Sequence, residues 1–343
     1  MNSLIMNRLN ELWTSGEFIS YRHYLRKKRD HNPFVSANIV SVLEKCTVIN
    51  SRLSRNIEQT KQHLKNYQIA HQTYMWPLHN SSSRIGNALL LNKFKFLHLS
   101  PDADCSCMQQ IILQENENIY KIIQDLTFYR NDDINFRLPK FQQDLPATGN
   151  TFLTWFPPRE ICNIKKMESI DIVVQANILW FLGKYKGLKI PGANATINYI
   201  KTILKRDLLM KFPFKISPYY PYPIAILYYI SRAIHWGDIE SMQTCKTDII
   251  NLTRNLQPKT TLDHLYLAAI GKFWQDEEMV EVHLDFIQKK GLNAADPLFV
   301  APFILPAVQD LPFINGIAKK PLSLINFSSE AFQLALLLWL HQK

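Results

Sequence analysis

Six stretches along the chain begin in the same way, and this repetition limits the fold more than any other feature of the sequence. Each has a residue suited to a helix start (Ser, Thr, Asp, Asn or Pro), followed by a run of small and apolar residues. A helix that is apolar on nearly all sides must be buried on nearly all sides. We therefore predict six buried helices, which begin within the segments 32–40, 101–108, 169–179, 217–225, 260–269 and 328–335.

More amphipathic stretches lie between these openings, at residues 52–65, 115–129, 197–209 and 276–290. The alternation of buried helices with helices that have one solvent-exposed face predicts an inner and an outer ring, because each repeat buries its apolar face against its neighbours. The predicted fold is all-α, a single (α/α)6 toroid domain over residues 1–343 with a mostly apolar central cavity. Longer insertions are expected at 66–99 and 130–158, and the inner helices should point their N-termini at one mouth.

Composition excludes several classes of protein. The chain has 343 residues, of which 47% are hydrophobic, so it can bury a large core. Only 10 are glycine, and neither a GxGxxG nor a P-loop pattern is present. Five cysteines at irregular spacing argue against a disulfide framework and favour a reducing, cytoplasmic location. No apolar run reaches the roughly 20 residues of a membrane span, and the polar N-terminus is unlike a signal peptide.

The net charge of +10 suggests an anionic or surface-bound partner. The segment 26–29 (Arg-Lys-Lys-Arg) is the one tight cluster of cations, and we interpret it as a solvated helix end rather than a nucleic-acid arm. We therefore expect no nucleic-acid partner. A peripheral contact with a membrane surface, or an anionic ligand such as a diphosphate, is compatible with the charge.

The second opening carries a recognisable motif, Asp102-Ala103-Asp104-Cys105-Ser106. It resembles the Asp-x-Asp-Asp-Thr motif of class II terpene cyclases and the Asp-Cys-Thr motif of oxidosqualene cyclases. The six openings are likewise similar to the repeats of the prenyltransferase and squalene-cyclase superfamily, and the chain also resembles uncharacterised bacterial proteins with that toroid. The resemblance implies that Asp104 is the proton donor, that Asp102 assists it, and that Cys105 is a hydrogen-bonding neighbour.

The chain also departs from that family in three respects. Squalene cyclases have two barrels, whereas this chain has room for one. Their Gln-Trp repeats are not evident here, and Cys105 stands at the fourth position of the Asp-x-Asp-Asp pattern. The Asp-Asp-x-x-Asp motif of class I terpene synthases is absent, because Asp132-Asp133 is followed by Ile-Asn-Phe.

Protonation of an alkene needs a carboxylic acid in a dry pocket, where burial and a second carboxylate raise its pKa. The carbocation that forms is stabilised by aromatic faces rather than by water. Asp171 and Asn177 at the third opening are candidates for a second acid and a substrate anchor. The aromatic candidates near the openings are Trp76, Trp155, Phe156, Tyr219, Tyr220 and Tyr222. The alternative is structural: the aspartates cap helices, Asn177 satisfies backbone groups between helices, and the aromatics fill core.

A metal site is a weaker candidate. His71, His79 and His98 flank the second opening and could join its Asp and Cys residues around zinc. Protein prenyltransferases with this fold bind zinc, but the spacing here does not reproduce their Asp-x-Cys arrangement. We therefore expect neither a metal nor a cofactor.

Three functions are compatible with the sequence, and each predicts a different interior of the toroid. The first is a terpene-cyclase-like enzyme that cyclises an isoprenoid, with a deep apolar cavity and Asp104 at its inner end. The second is a carbohydrate-active hydrolase or lyase, with an open groove and several exposed carboxylates. The third is a non-catalytic binding protein, with a filled centre and Asp104 hydrogen-bonded to backbone only.

Overall fold

The computed structural model describes residues 1–23, 26–67, 101–132, 136–156, 166–302 and 324–342, and this part of the chain is mostly helical. The helices are α1 (Asn2–Glu11), α2 (Pro33–Leu43), α3 (Ser51–Leu64), α4 (Ala103–Leu113), α5 (Asn116–Phe128), α6 (Ile172–Lys184), α7 (Ala193–Lys205), α8 (Leu208–Lys211), α9 (Pro213–Ile216), α10 (Pro223–Trp236), α11 (Lys246–Arg254), α12 (Thr261–Trp274), α13 (Glu277–Lys290) and α14 (Glu330–Leu340).

The six predicted buried helices are confirmed as α2, α4, α6, α10, α12 and α14. In five of them a side-chain oxygen accepts a hydrogen bond from a backbone N–H of the first turn, as the cap residues predicted. These caps are Asn32, Asp102, Asp171, Thr260 and Ser329. The sixth helix, α10, begins instead with Pro223, whose fixed φ suits the first helical position.

The buried helices contact one another in a closed order. Along the chain, α2 packs on α4, α4 on α6, α6 on α10, α10 on α12 and α12 on α14, and α14 returns to pack on α2. The more polar helices lie outside them: α3 packs on α2, α5 on α4, α7 on α6, α11 on α10, α13 on α12 and α1 on α14. Two of these outer helices, α1 and α11, were not predicted from the sequence.

The predominance of helices is confirmed, but the fold is not purely α, because short strands are also present. They are β1 (Trp13–Thr14), β2 (Glu17–Phe18), β3 (Ser20–His23), β4 (Lys27–Asp30), β5 (Phe136–Arg137), β6 (Lys166–Met167), β7 (Phe299–Pro302) and β8 (Leu324–Ser328). Four of them form an antiparallel sheet in the order β4-β3-β8-β7. Tyr21 pairs with Ser328 in this sheet, so its hydrogen bonds join the two ends of the chain. Such long-range pairing leaves no periodic signal in a strand of four or five residues.

Two local expectations need correction. The basic cluster at 26–29 is solvated as predicted, but three of its four residues form part of β4, so it is not a helix end. The stretch 197–209 is not one helix, since Asp207 adopts a left-handed conformation between α7 and α8. The insertion expected at 130–158 contains β5 and a 3-10 turn at Lys140–Gln142, whereas the one at 66–99 lies almost wholly outside the described residues.

None of the helices in the described ranges combines the length and the apolar character that crossing a bilayer requires.

Two buried helices approach closely at Gly183 in α6 and Gly237 at the end of α10. A Cβ added to Gly183 would lie 1.9 Å from the carbonyl oxygen of Gly237. That oxygen belongs to the backbone, so no side-chain rotation could relieve the clash. The packing of α6 on α10 therefore requires glycine at position 183.

We expect Gly183→Ala to lower the free energy of unfolding by about 3 kcal/mol, the upper end of the usual cost of overpacking. Gly149→Ala is the matched control, because a Cβ there would meet no atom within 4 Å. We expect that control to change stability by less than about 0.5 kcal/mol. Urea denaturation followed by circular dichroism measures both. Equal stability of the two variants would contradict the close approach of α6 and α10.

Candidate active site

Asp104 lies in the first turn of α4, where its side chain is buried with 5% of its surface exposed. Its two carboxylate oxygens accept hydrogen bonds from two other elements. Asn177 Nδ2 of α6 donates to Oδ1 at 2.6 Å, and the Tyr220 hydroxyl donates to Oδ2 at 2.7 Å. Both partners are side chains rather than backbone groups, so Asp104 does more than cap its helix.

The hydrogen bonds continue from Asn177 to a buried arginine. Arg232 of α10 donates from Nη2 to Asn177 Oδ1 at 2.6 Å and from Nη1 to Asn38 Oδ1 at 2.8 Å. Asn38 is held in turn by its Nδ2, which donates to the Phe34 carbonyl oxygen at 3.0 Å. A continuous chain of side chains thus links Asp104 to α6, α10 and α2.

Arg232 is completely buried, and its guanidinium lies on aromatic faces. Its Cζ is 4.7 Å from the ring centroid of Trp180 and 4.5 Å from that of Tyr229. Asn38 belongs to α2, which is not a neighbour of α10 in the closed order of helices, so Arg232 reaches across the interior of the ring. An isolated buried cation is costly, and these polar and aromatic contacts offset the cost.

Arg232 was not among the site residues predicted from the sequence. The signal for Arg232 was present, because it is the one Lys or Arg in α10, whose other residues are mostly apolar. A charged residue in a helix buried on all sides needs a buried partner. Asn177 was expected either to anchor a substrate or to satisfy backbone groups between helices; its side chain bonds Asp104 and Arg232, and its role as a substrate anchor stays a prediction.

Asp102 caps α4, and its carboxylate is not hydrogen-bonded to the carboxylate of Asp104. Its Oδ1 accepts from the Cys105 backbone N–H at 2.6 Å, and its Oδ2 has no hydrogen-bond partner among the described residues. Burial, and secondarily the nearby Asp104 carboxylate, raise the pKa of Asp102 to about 7. Cys105 thus forms its hydrogen bond with Asp102, and burial raises the pKa of its thiol.

The pKa of Asp104 reflects opposing influences. Burial raises it to about 6. The hydrogen bonds from Tyr220 and Asn177 and the positive charge of Arg232 favour the carboxylate and limit the rise. A carboxyl group with a pKa of about 6 is protonated in roughly one molecule in ten at pH 7, far more often than an ordinary aspartate, and is still acidic enough to release its proton.

Both carboxylate oxygens of Asp171 accept hydrogen bonds that fix the local backbone. Its Oδ1 accepts from the Val173 N–H at 2.8 Å and from the Ser217 hydroxyl at 2.7 Å, and its Oδ2 accepts from the Tyr219 N–H at 3.0 Å. Burial raises its pKa to about 7. These bonds support the reading of Asp171 as a cap, which also fixes the segment that leads to Tyr220.

The predicted aromatic residues lie in different surroundings, and they do not all contact Asp104. Tyr220 alone among them has a hydrogen bond to Asp104 in the described part of the chain. Trp155 donates from Nε1 to the Tyr219 hydroxyl at 3.1 Å, and Phe156 packs on Tyr129 at a centroid distance of 5.0 Å. Tyr222 is the residue before α10 and is half-buried, whereas Trp76 lies outside the described residues.

Sequence reasoning missed a second aromatic group beside Tyr220. Phe34 at the start of α2 lies 6.4 Å from the Tyr220 ring centroid, and Phe299 of β7 lies 5.8 Å from it. Phe327 of β8 stacks on Phe299 at 4.6 Å. The four-stranded sheet thus supplies aromatic side chains next to the residue that binds Asp104, which the all-α prediction could not anticipate.

Neither the metal nor the cavity prediction is settled by the described residues. No group of three or more His, Cys, Asp and Glu side chains among them is arranged to hold a metal, and His71, His79 and His98 lie outside these ranges. A polar pocket of about 360 Å³ lies at the C-terminal ends of α2, α4 and α6. Lys45, Lys184 and Trp180 help to line it, and Asp104 does not.

Comparison with known proteins shows the fold. No protein-family model and no curated protein matches the chain. A solved protein from Actinoplanes superposes with a TM-score of 0.63 at 9% identity, covering 99% of this chain and 98% of that one. A type II terpene cyclase from Scytonema, solved in complex with its substrate geranylgeranyl dihydroxybenzoate, gives a TM-score of 0.55 at 10% identity over 99% and 96% of the two chains. The chain therefore has a terpene-cyclase-like fold.

The raised pKa of Asp102 predicts how stability depends on pH. The unfolded carboxyl ionises near its ordinary pKa of 3.8 and the folded one near 7, so stability falls as pH rises through this window. Asn caps helices as well as Asp does and does not titrate. We expect Asp102→Asn to match the wild type at pH 4 and to exceed it by up to about 4 kcal/mol at pH 8.

Urea denaturation at both pH values measures this difference. Asp276→Asn is the matched control, because Asp276 also caps a helix, α13, but is only half-buried. We expect a much smaller pH-dependent difference for that variant. A pH-independent effect of Asp102→Asn would contradict the buried, largely neutral state of Asp102.

Proposed function

We propose that the protein is an enzyme of the type II terpene cyclase kind, which cyclises an isoprenoid by protonating one of its double bonds. Asp104 is the acid and Asp102 assists it. The single observation that carries the proposal is the state of Asp104: buried, bound by two side chains and shifted to a pKa of about 6. The architecture we assign is a single toroid domain of inner and outer helices, which the closed order of helix contacts supports.

The proposed reaction begins with the carboxyl proton of Asp104. The π electrons of an alkene form a bond to that proton, which leaves the other alkene carbon positive. A second double bond of the same molecule attacks this carbon and closes a ring. Loss of a proton from the final cation restores a double bond, so the product is an isomer of the substrate.

The partners of Asp104 favour this step because they stabilise the carboxylate it leaves behind. Asn177 and Tyr220 already donate one hydrogen bond to each oxygen, and Arg232 supplies a positive charge through Asn177. Donors held in place before the reaction need no reorganisation when the charge develops. Asp102, with a pKa of about 7 and an unpartnered Oδ2, is suited to return a proton to the site.

The side from which the substrate approaches follows from Arg232. Its guanidinium lies in the ring interior on the C-terminal side of Asp104 and already covers Trp180 and Tyr229. We therefore place the isoprenoid on the N-terminal side, where Phe34, Tyr220 and Phe299 cluster. Aromatic faces there stabilise a carbocation without attacking it as water would. Trp155, Tyr219 and Tyr222 are rim residues in this proposal.

The two alternative functions have less support. A carbohydrate-active enzyme would expose several carboxylates in a groove, whereas Asp102, Asp104 and Asp171 are all buried. A binding protein that had lost its chemistry would leave Asp104 on backbone partners. Asp104 instead accepts hydrogen bonds from two side chains on different segments. A buried polar network of this kind is not needed to cap a helix.

The direct test incubates the purified protein with isoprenoid diphosphates, squalene-like polyenes and prenylated hydroxybenzoates and identifies products by mass spectrometry. We expect a cyclic isomer of at least one substrate and a loss of at least about 1000-fold in its formation for Asp104→Asn, because the amide has no acidic proton to transfer. Asp285→Asn, at an exposed carboxylate on α13, is the control and should keep full activity. Product formation that survives Asp104→Asn would remove the proposal.

The dependence of rate on pH tests the role of Tyr220. The protonated form of Asp104 is the active one, so the rate should fall as pH rises above about 6. Tyr220→Phe removes a hydrogen bond that favours the carboxylate, which raises the pKa of Asp104. We expect the alkaline limb of kcat to move up by about 1 pH unit and the maximal kcat to fall about tenfold.

Tyr219→Phe provides the comparison, because that hydroxyl accepts from Trp155 and does not bond Asp104. We expect its pH profile to keep the wild-type position. If both variants leave the alkaline limb unmoved, Tyr220 does not stabilise the carboxylate of Asp104.

A further inference from the structure

The segment of α8 and α9 exposes a concentration of large apolar side chains. Met210, Phe212 and Phe214 have 42%, 50% and 38% of their surface exposed. Elsewhere in the described ranges, the exposed large apolar residues are Met1 and Leu4, three positions apart at the start of α1, and the isolated residues Val48, Tyr120 and Val282. Single exposed apolar residues are ordinary, whereas three within five positions form a surface that favours contact with something apolar.

This segment is held firmly against the protein. Leu209 and Ile216 are buried in the core on either side of the exposed residues. The side chain of Gln142 donates from Nε2 to the Lys215 carbonyl oxygen at 2.8 Å and to the Ile170 carbonyl oxygen at 2.7 Å. The backbone on either side of Phe212 and Phe214 is therefore anchored. Because of this anchoring, the two side chains stay at the surface.

The surroundings of the apolar residues are basic. Lys205, Arg206 and Lys211 are exposed beside them. Lys215 pairs with Asp144, and within residues 205–216 the acidic residue is the half-buried Asp207. Cations next to protruding aromatic side chains are the combination found where proteins rest on anionic lipid, because the rings enter the headgroup region while the cations meet phosphate.

We propose that Met210, Phe212 and Phe214, together with Lys205, Arg206 and Lys211, form a docking surface for an anionic phospholipid bilayer. The small size of the surface favours lipid over a protein partner. A stable protein interface buries about 800 Å² on each side, far more than three partly exposed side chains provide. A bilayer needs only a few inserted side chains and a complementary charge.

The docking surface is close in sequence to the candidate active site. Tyr220 is six positions after Phe214, a length of chain that spans at most about 22 Å even if fully extended. Binding to a bilayer would thus bring the N-terminal ends of α4 and α10 towards the lipid. This consequence matters to catalysis only if the proposed function holds, whereas the binding itself does not depend on it.

The test measures sedimentation of the full chain with vesicles of phosphatidylcholine, alone or with 30 mol% phosphatidylglycerol (about one lipid in three). We expect at least about tenfold tighter binding to the anionic vesicles and a marked weakening at 0.5 M salt, which screens the attraction. Phe212→Ser with Phe214→Ser should weaken that binding at least about 30-fold, because both rings leave the headgroup region. Lys205→Ser with Lys211→Ser should weaken it about tenfold.

Two matched controls replace exposed residues elsewhere: Tyr120→Ser with Val282→Ser for the apolar contact, and Lys290→Ser for the charge. We expect each to change binding less than about twofold. All substitutions are at exposed positions, and thermal unfolding by circular dichroism checks that each variant is folded. An independent measurement uses Phe212→Trp, whose added fluorescence should shift to the blue with anionic vesicles.

Equal binding of the double phenylalanine variant and the wild type would overturn the proposal, as would a lack of preference for anionic vesicles. Light scattering after size exclusion gives a further outcome. If the phenylalanine substitutions dissociate a dimer and leave vesicle binding unchanged, the surface joins two copies of the chain and the bilayer proposal is wrong. None of these outcomes involves turnover, so they are separate from a failure of the cyclase proposal.

Discussion

The buried cation of Arg232 is the feature on which the centre of this protein depends. A guanidinium stays charged at any physiological pH, so its burial must be compensated by neighbours that are fixed in advance. Asn38 and Asn177 accept its hydrogen bonds, and Trp180 and Tyr229 offer their faces. These groups come from α2, α6 and α10. One side chain thereby couples three inner helices and sets the electrostatic environment at the start of a fourth.

The hydrogen bonds from Tyr220 and Asn177, and to a smaller extent the charge of Arg232, favour the carboxylate of Asp104 over that of its neighbour Asp102. Asp102 and Asp104 are both buried near the start of α4, yet only Asp104 connects to Arg232, through Asn177. Asp104 receives two side-chain hydrogen bonds and a positive field, and its pKa stays lower than that of Asp102. Two acids with different environments can divide the tasks of releasing and returning a proton. A terpene-cyclase-like fold, with such a pair at a helix start, supports the proposed chemistry without fixing the substrate.

The sequence predicted the inner helices well because their signals are local. A capping side chain followed by an apolar run is enough to locate the start of α4 or α6 and their caps Asp102 and Asp171, whereas Asp104 was found through the resemblance of its motif. The strands were missed because their hydrogen bonds join residues such as Tyr21 and Ser328. The contacts of Asn177 and Arg232 were missed for a related reason: side chains that meet across a ring share no spacing along the chain. The aromatic neighbours of Tyr220 from β7 and β8 depend on the same distant pairing.

The contact of α14 with α2 has a consequence for how the protein is made. The ring closes between its first and its last inner helix, and β3 pairs with β8 beside that seam. On the ribosome, α2 is synthesised some 300 residues before the helix that covers its open flank. Its apolar surface must therefore stay exposed, or be shielded by a chaperone, until translation is nearly finished. Contacts this distant are also slow to form, because the entropy of closing a long loop is lost before they stabilise it.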